Sequence, residues 1–115
     1  MKKDSGVYLK HMHDACQRIE NFTKGYQKEM FLQSELVQSA VTRQIEILGE
    51  AAKNISTEFR KNYPLIEWSD IAGMRDKVIH HYFGVDLNEV WNVVIKEVPR
   101  LKKEIIAILH QIEPI

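Results

Sequence analysis

Apolar residues recur along this chain at intervals of three and four, so the elements they predict are helices, and no segment reads as a strand. The first helix spans Ser5–Thr23, with Tyr8, Met12, Ala15, Ile19 and Phe22 on one amphipathic stripe. Gly25 breaks the pattern and opens a short polar connection. The second and longest helix covers 29–55. Val37, Val41, Leu48, Ala52 and Ile55 form one row, and Leu36, Ala40, Ile47 and Ala51 form its neighbour. So wide an apolar face predicts contact with two or more partners. A helical turn over Thr57–Asn62 ends before Pro64, because the residue preceding a proline is pushed out of the α region. A fourth helix covers 69–81 and ends near Gly84. The fifth starts at Asp86, where Asp86-Leu87-Asn88-Glu89 has the form of a capping box with Asp in place of Ser or Thr. It carries Leu87, Val90, Trp91, Val94 and Val98 inward. Pro99 either kinks it or starts a sixth helix, with Leu101, Ile105, Ile108 and Ile112 on one side. There is no internal repeat, low-complexity tract or linker. The expectation is an all-α bundle of about five helices, one domain over 1–115, with antiparallel neighbours joined by short connections.

Composition supports a globular chain: of 115 residues 44% are apolar and 28% charged, with five Gly and three Pro. A chain of this length buries most of one core without disulfides or a structural metal. Cys16 is the single cysteine, which precludes an internal disulfide and suits a reducing compartment. Met1-Lys2-Lys3-Asp4 leads into polar sequence with no apolar core, so no signal peptide is expected. No run approaches the roughly 20 apolar residues of a membrane span. The expected location is the cytoplasm. Sixteen basic and sixteen acidic residues cancel. A nucleic-acid binder more often carries a basic excess, so composition counts mildly against RNA, although a summed charge hides local fields.

Chemistry is sparse. The chain has no Gly-rich phosphate loop, Cys cluster or His-Glu-x-x-His motif. His11/His13 and His80/His81 are too close in sequence to share a helix face, so neither pair suits a metal, and no cofactor is expected. The segment that stands out runs from Gly73 to Gly84. On a helix, Ile71, Arg75, Val78 and Tyr82 fall in one row, spaced four, three and four. Arg75 therefore sits on an otherwise apolar stripe. It must find an anion, reach solvent at an edge or lie at an interface, because an unpaired buried charge is expensive. Spacing alone favours a packed stem with its head in water. His80 follows Arg75 by five, about 140° around an ideal helix, so the two share no face unless the helix end loosens before His80. Asp76, four before His80, could fix its tautomer or be part of an ordinary solvated pair.

The remaining candidates are weaker. Glu46 and Glu50, four apart, could be a carboxylate pair, but a solvated face or contacts to Arg43 and Lys53 are preferred. Trp68 and Trp91 read as core anchors before base-stacking platforms. Tyr8 and Tyr63 carry no signal beyond packing. Cys16 reads as a small core residue. Lys96, Arg100, Lys102 and Lys103 form the densest basic run, a solvated face in the first instance and an RNA-backbone contact in the second.

Trp68, Ile71-Ala72-Gly73-Met74-Arg75, then His80-x-Tyr82-Phe83-Gly84-Val85-Asp86 and Trp91 resemble the HepT-like branch of the HEPN superfamily. Its signature is an Arg, four residues, His, one residue, Tyr, and Arg75, His80 and Tyr82 match it in full. The likeness extends to Arg43-Gln-Ile-Glu-Ile-Leu-Gly-Glu-Ala-Ala-Lys53 of the long helix. It implies a small, often dimeric helical bundle acting as a metal-independent ribonuclease toxin. Such toxins are paired with a minimal nucleotidyltransferase antitoxin that transfers AMP from ATP to the motif tyrosine. Arg75 and His80 become catalytic by this resemblance, Asp76 supporting and Tyr82 the modified residue; the implied partners are RNA, the antitoxin and a second copy of the chain. Two alternatives stand beside the enzyme: a catalytically silent helical dimer that docks a nucleotidyltransferase, and a purely structural oligomerisation domain. Intact Arg75 and His80 favour the enzyme.

Overall fold

The computed structural model describes residues 5–80 and 84–112, with His80 described by its backbone alone. The described residues form an all-α fold, as the hydrophobic periodicity predicts. Its frame is three long helices: α1 (Ser5–Thr23), α3 (Glu35–Lys53) and α8 (Val98–Ile112). α1 lies between the other two and packs on both, so its stripe of Leu9, Met12, Ala15 and Ile19 is fully buried. Val41, Ile45 and Leu48 of α3 and Val98, Leu101, Ile105 and Ile108 of α8 complete the same core. Burial of such side chains contributes about 1.5–3 kcal/mol each relative to exposure, so the row positions outweigh helix propensity.

The helix expected over 29–55 is two. α2 (Lys28–Leu32) ends at Gln33, and α3 begins after Ser34, whose hydroxyl accepts from Val37 N at 3.2 Å. The Gln38 amide donates to the Phe31 carbonyl at 3.0 Å, which also accepts from Ser34 N at 3.2 Å, so the end of α2 is tied to the start of α3. The break lets α2 turn inward and bury Phe31 completely against Trp91, with ring centroids 5.2 Å apart. Leu36, placed by periodicity in an apolar row, is left 81% exposed just past this break.

The helix expected over 69–81 is also divided. α4 (Thr57–Asn62), N-capped by Ser56, leads to α5 (Trp68–Ala72), and Gly73 separates α5 from α6 (Met74–Val78). α6 stops at Val78, because Ile79 is extended at φ −109°, ψ 113°. Two short strands follow, β1 (Ile79–His80) and β2 (Gly84–Val85), antiparallel with Ile79 opposite Val85 and His80 opposite Gly84. This small ladder is the exception to a sequence with no segment that reads as strand. Gly84 has φ +77°, a region that a side chain with a Cβ rarely enters. Asp86 N donates to the Val78 carbonyl at 2.7 Å, closing the hairpin against the end of α6.

Asp86 then caps α7 (Leu87–Asn92) as its motif predicts, its carboxylate accepting from Glu89 N at 3.1 Å. α7 continues through a π-helical turn (Val93–Glu97) into α8. Pro99 therefore stands in the first turn of a new helix element that starts at Val98, and the backbone stays helical across the junction. The proline lacks an N–H for the carbonyl four residues back, and its ring would collide with that carbonyl. The wide turn just upstream accommodates both faults.

Candidate active site

α5 and α6 are positioned by one close approach. A Cβ on Gly49 of α3 would meet the Ala72 and Ile71 carbonyl oxygens at 3.3 Å each. Glycine there lets the backbone of α5 lie directly on α3. Ile71, Met74 and Val78 are buried, which orients the α5–α6 arm and sends Arg75 out to its rim. The arginine is thus not inside the apolar row. Its side chain is 49% exposed, with Nε 3.4 Å from Glu46 Oε2 and Nη1 3.4 Å from Asp76 Oδ1. Glu46 is the anionic partner, and it comes from α3 rather than from α6. The preferred pairing of Glu46 with Arg43 or Lys53 is replaced by this contact, because α6 lies beside the Glu46 face of α3. Exposed pairs of this length contribute about 0–1 kcal/mol, so Arg75 is steered without being neutralised.

His80 lies outside the helix that carries Arg75. The 140° separation on a continuous helix therefore does not apply, and the expected pairing of Asp76 with the His80 ring lies outside the described residues. The loosening comes two residues before His80, at Val78. Asp76 points to solvent, 81% exposed, and its recorded contact is with Arg75. Tyr82 lies outside the described residues, and the helical row expected to reach it ends at Val78.

The other candidates separate by burial and pairing. Trp68 is 6% exposed and donates from Nε1 to the Tyr63 carbonyl at 3.0 Å, and Trp91 is 9% exposed. Both are core anchors, and neither face is open to a base. Cys16 is buried, and burial first, then the nearby Glu20 carboxylate, pushes its thiol up to about 12. It is therefore no nucleophile at neutral pH. In the basic run, Arg100 lies 3.2 Å from Glu97 and 3.7 Å from Glu67, and Lys102 donates to Glu20 at 2.7 Å. Carboxylates thus neutralise much of that face. Among the described residues no group of three or more His, Cys, Asp or Glu is arranged to hold a metal, and no helix is long and apolar enough to cross a membrane.

Beside Arg75 a groove of about 370 Å³ opens between α1 and α3, lined by Tyr8, His11, Arg43, Glu50 and Asn54 as well as Glu46. Sequence reasoning missed it, since its two walls are 35 residues apart along the chain and each row looks ordinary alone.

The candidate site thus comprises a half-exposed arginine at a helix rim, a histidine position just beyond the helix end and a groove alongside, all on an α-helical frame. Residues 12–108 match the family described as HepT-like ribonuclease. The chain belongs to that family. Over 113 residues it is 45% identical to a protein of Methanocaldococcus jannaschii named as γ-glutamylcyclotransferase and candidate RNase. The match covers 98% of this chain and 51% of that protein, so the chain spans about half the length of this relative. A protein of Thermococcus cleftensis named "Probable ribonuclease HepT" is 44% identical over 102 residues, 89% of this chain and 93% of its own length. A candidate RNase of Caldanaerobacter subterraneus subsp. tengcongensis is 40% identical over 104 residues, 90% of this chain and 93% of its own. No solved structure matches the chain.

Proposed function

We propose that the protein is a metal-independent endoribonuclease and the toxin of a toxin–antitoxin pair, working as a two-fold dimer with Arg75 and His80 as catalytic residues. The observation that carries this reading is Arg75, in a chain of the HepT-like ribonuclease family: an always-charged guanidinium held half-exposed by Glu46 and Asp76, five residues before His80. RNA cleavage through its own 2′-hydroxyl has three needs. A base takes the 2′ proton as the oxygen attacks phosphorus, a cation stabilises the phosphorane, and an acid protonates the departing 5′ oxygen. Histidine titrates near neutrality and serves as base or acid, while arginine presents a planar fork to phosphate oxygens. Both residue types act without a metal. One chain supplies one motif histidine for two proton transfers, and a dimer that brings two copies of Arg75 and His80 into one cleft supplies both.

Regulation belongs to the same reading. The Tyr82 phenol attacks the α-phosphorus of ATP on a nucleotidyltransferase antitoxin, pyrophosphate leaves, and AMP remains on the tyrosine. The added phosphodiester places a negative charge near Arg75 and bulk where the RNA backbone must lie.

The test is cleavage of RNA in EDTA, with end-group analysis. The expected products carry 2′,3′-cyclic phosphate and 5′-hydroxyl ends, and His80→Ala and Arg75→Ala each lose most of the activity with unchanged circular dichroism. Treatment with the cognate nucleotidyltransferase and MgATP should add AMP mass at Tyr82 and stop cleavage. His80→Ala cleaving as fast as the parent would remove His80 from the mechanism and favour the docking module; silencing of Tyr82→Phe with no added mass would replace modification by simple complex formation.

A further inference from the structure

The groove beside Arg75 has features that the proposed cleavage chemistry leaves unused. Its floor is apolar, made by Ile47 and by Ala51, whose small side chain leaves room above it. Tyr8 and His11, one turn apart on α1, form an aromatic wall, their rings edge to face with centroids 6.0 Å apart. On the opposite wall, Arg43, Ile47, Glu50 and Asn54 follow one row of α3 at spacings of four, three and four. Arg43 and Glu50 are both exposed, and neither makes an ion pair among the described residues, whereas Glu46 between them is engaged with Arg75. Seven residues of helix separate Arg43 from Glu50, about 10 Å along the axis. At about 370 Å³ the groove falls within the roughly 300–1,000 Å³ typical of small-ligand sites.

An apolar floor, an aromatic edge and two unpaired charges of opposite sign suit a nucleobase better than a phosphate chain, which would meet Glu46 and Glu50. Among the bases, guanine presents two adjacent donors, N1–H and the N2 amino group, and on its other edge two acceptors, O6 and N7. A carboxylate can accept both donors side by side, and an arginine fork can bind both acceptors. We propose that this groove is a guanine subsite for the RNA strand that enters the catalytic cleft at Arg75. Glu50 takes the N1/N2 edge, Arg43 the O6/N7 edge, and the Tyr8–His11 wall packs on the ring. The inference rests on the ribonuclease reading for its ligand, and it adds a sequence preference that the cleavage chemistry does not require.

The test measures binding and does not need turnover. Fluorescence anisotropy would follow 2′-O-methyl hexanucleotides, which cannot cleave because the attacking oxygen is blocked. All are uridine except one internal position, occupied by guanine, inosine, adenine, cytosine or uracil. The guanine oligomer should bind about tenfold tighter than the inosine one, which lacks only the N2 amino group. Glu50→Gln, at an exposed position, should bring the two to parity, and Tyr8→Ala should weaken the guanine oligomer about tenfold. Binding by none of the five at up to about 1 mM, equal binding by all, or a guanine preference that survives Glu50→Gln would overturn the subsite. Cleavage assayed in parallel separates the two ideas. An active wild type without the base preference removes the groove alone, and guanine-selective binding without cleavage removes the ribonuclease reading alone.

Discussion

At the scale of residues, the site turns on how one charge is held. The sequence places Arg75 on an apolar stripe and leaves three outcomes open, and the structure combines two of them, an anionic partner and a solvent edge. The partner could not be read from spacing, since Glu46 is 29 residues away and only the packing of α6 on α3 brings it near. Burial of Cys16 and of both tryptophans, by contrast, was legible, from the small cysteine's place near an apolar stripe and from the large apolar area of the indole rings. In the proposed mechanism Glu46 acts through Arg75, as a positioning residue. Replacing it by Gln removes the charge that steers the guanidinium but little stability, because the pair is exposed. Glu46→Gln should lower kcat about tenfold while KM and the thermal midpoint stay near those of the parent. An unchanged kcat would show that Arg75 needs no such guide.

At the scale of elements, periodicity found every long helix, and failed where a cap or a local backbone conflict interrupts a row. Ser34 and Gly73 divide segments whose apolar spacing runs on across the break, and the extended backbone at Ile79 stops α6 before the spacing does. The last of these changes the reading of the motif, because Arg75 and His80 are related by a helix end and a strand, and a helical wheel does not describe them. Gly49 is the element-level anchor of this arrangement. A valine there would press on the backbone carbonyls of Ile71 and Ala72, which cannot yield as a side-chain tip could. Gly49→Val should cost about 1–3 kcal/mol in urea denaturation and reduce RNA cleavage beyond what the lost stability explains. Activity equal to the parent at full folding would mean that the approach of α5 to α3 does not position the site.

At the scale of the whole molecule, the proposed mechanism asks for two histidines where one chain brings a single motif copy. The assembly should therefore be visible in mass. Sedimentation of the active protein should give twice the 13.5 kDa of the chain, and activity should fall on dilution in step with the dimer fraction. Full activity from a monomer would require His80 to shuttle the proton alone. The overall helical class was open to sequence reasoning because three amphipathic rows dominate the chain. The groove was not, since it exists only where α1 and α3 lie side by side.

The wide turn ahead of Pro99 has a consequence in the language of genetic lesions. A π-turn closes over one more residue than an α-turn, so Val93–Glu97 holds, in effect, one codon more than a regular helix would need. Elsewhere in α1, α3 or α8 the loss of one residue rotates everything beyond it by about 100° and drives polar positions into the core. Loss of the exposed Lys96, with Pro99→Ala to restore the missing donor, would instead close the turn into ordinary α-helix and leave Trp91 and Leu101 facing the same interior. That turn is where this gene can best survive an in-frame deletion inside a helix.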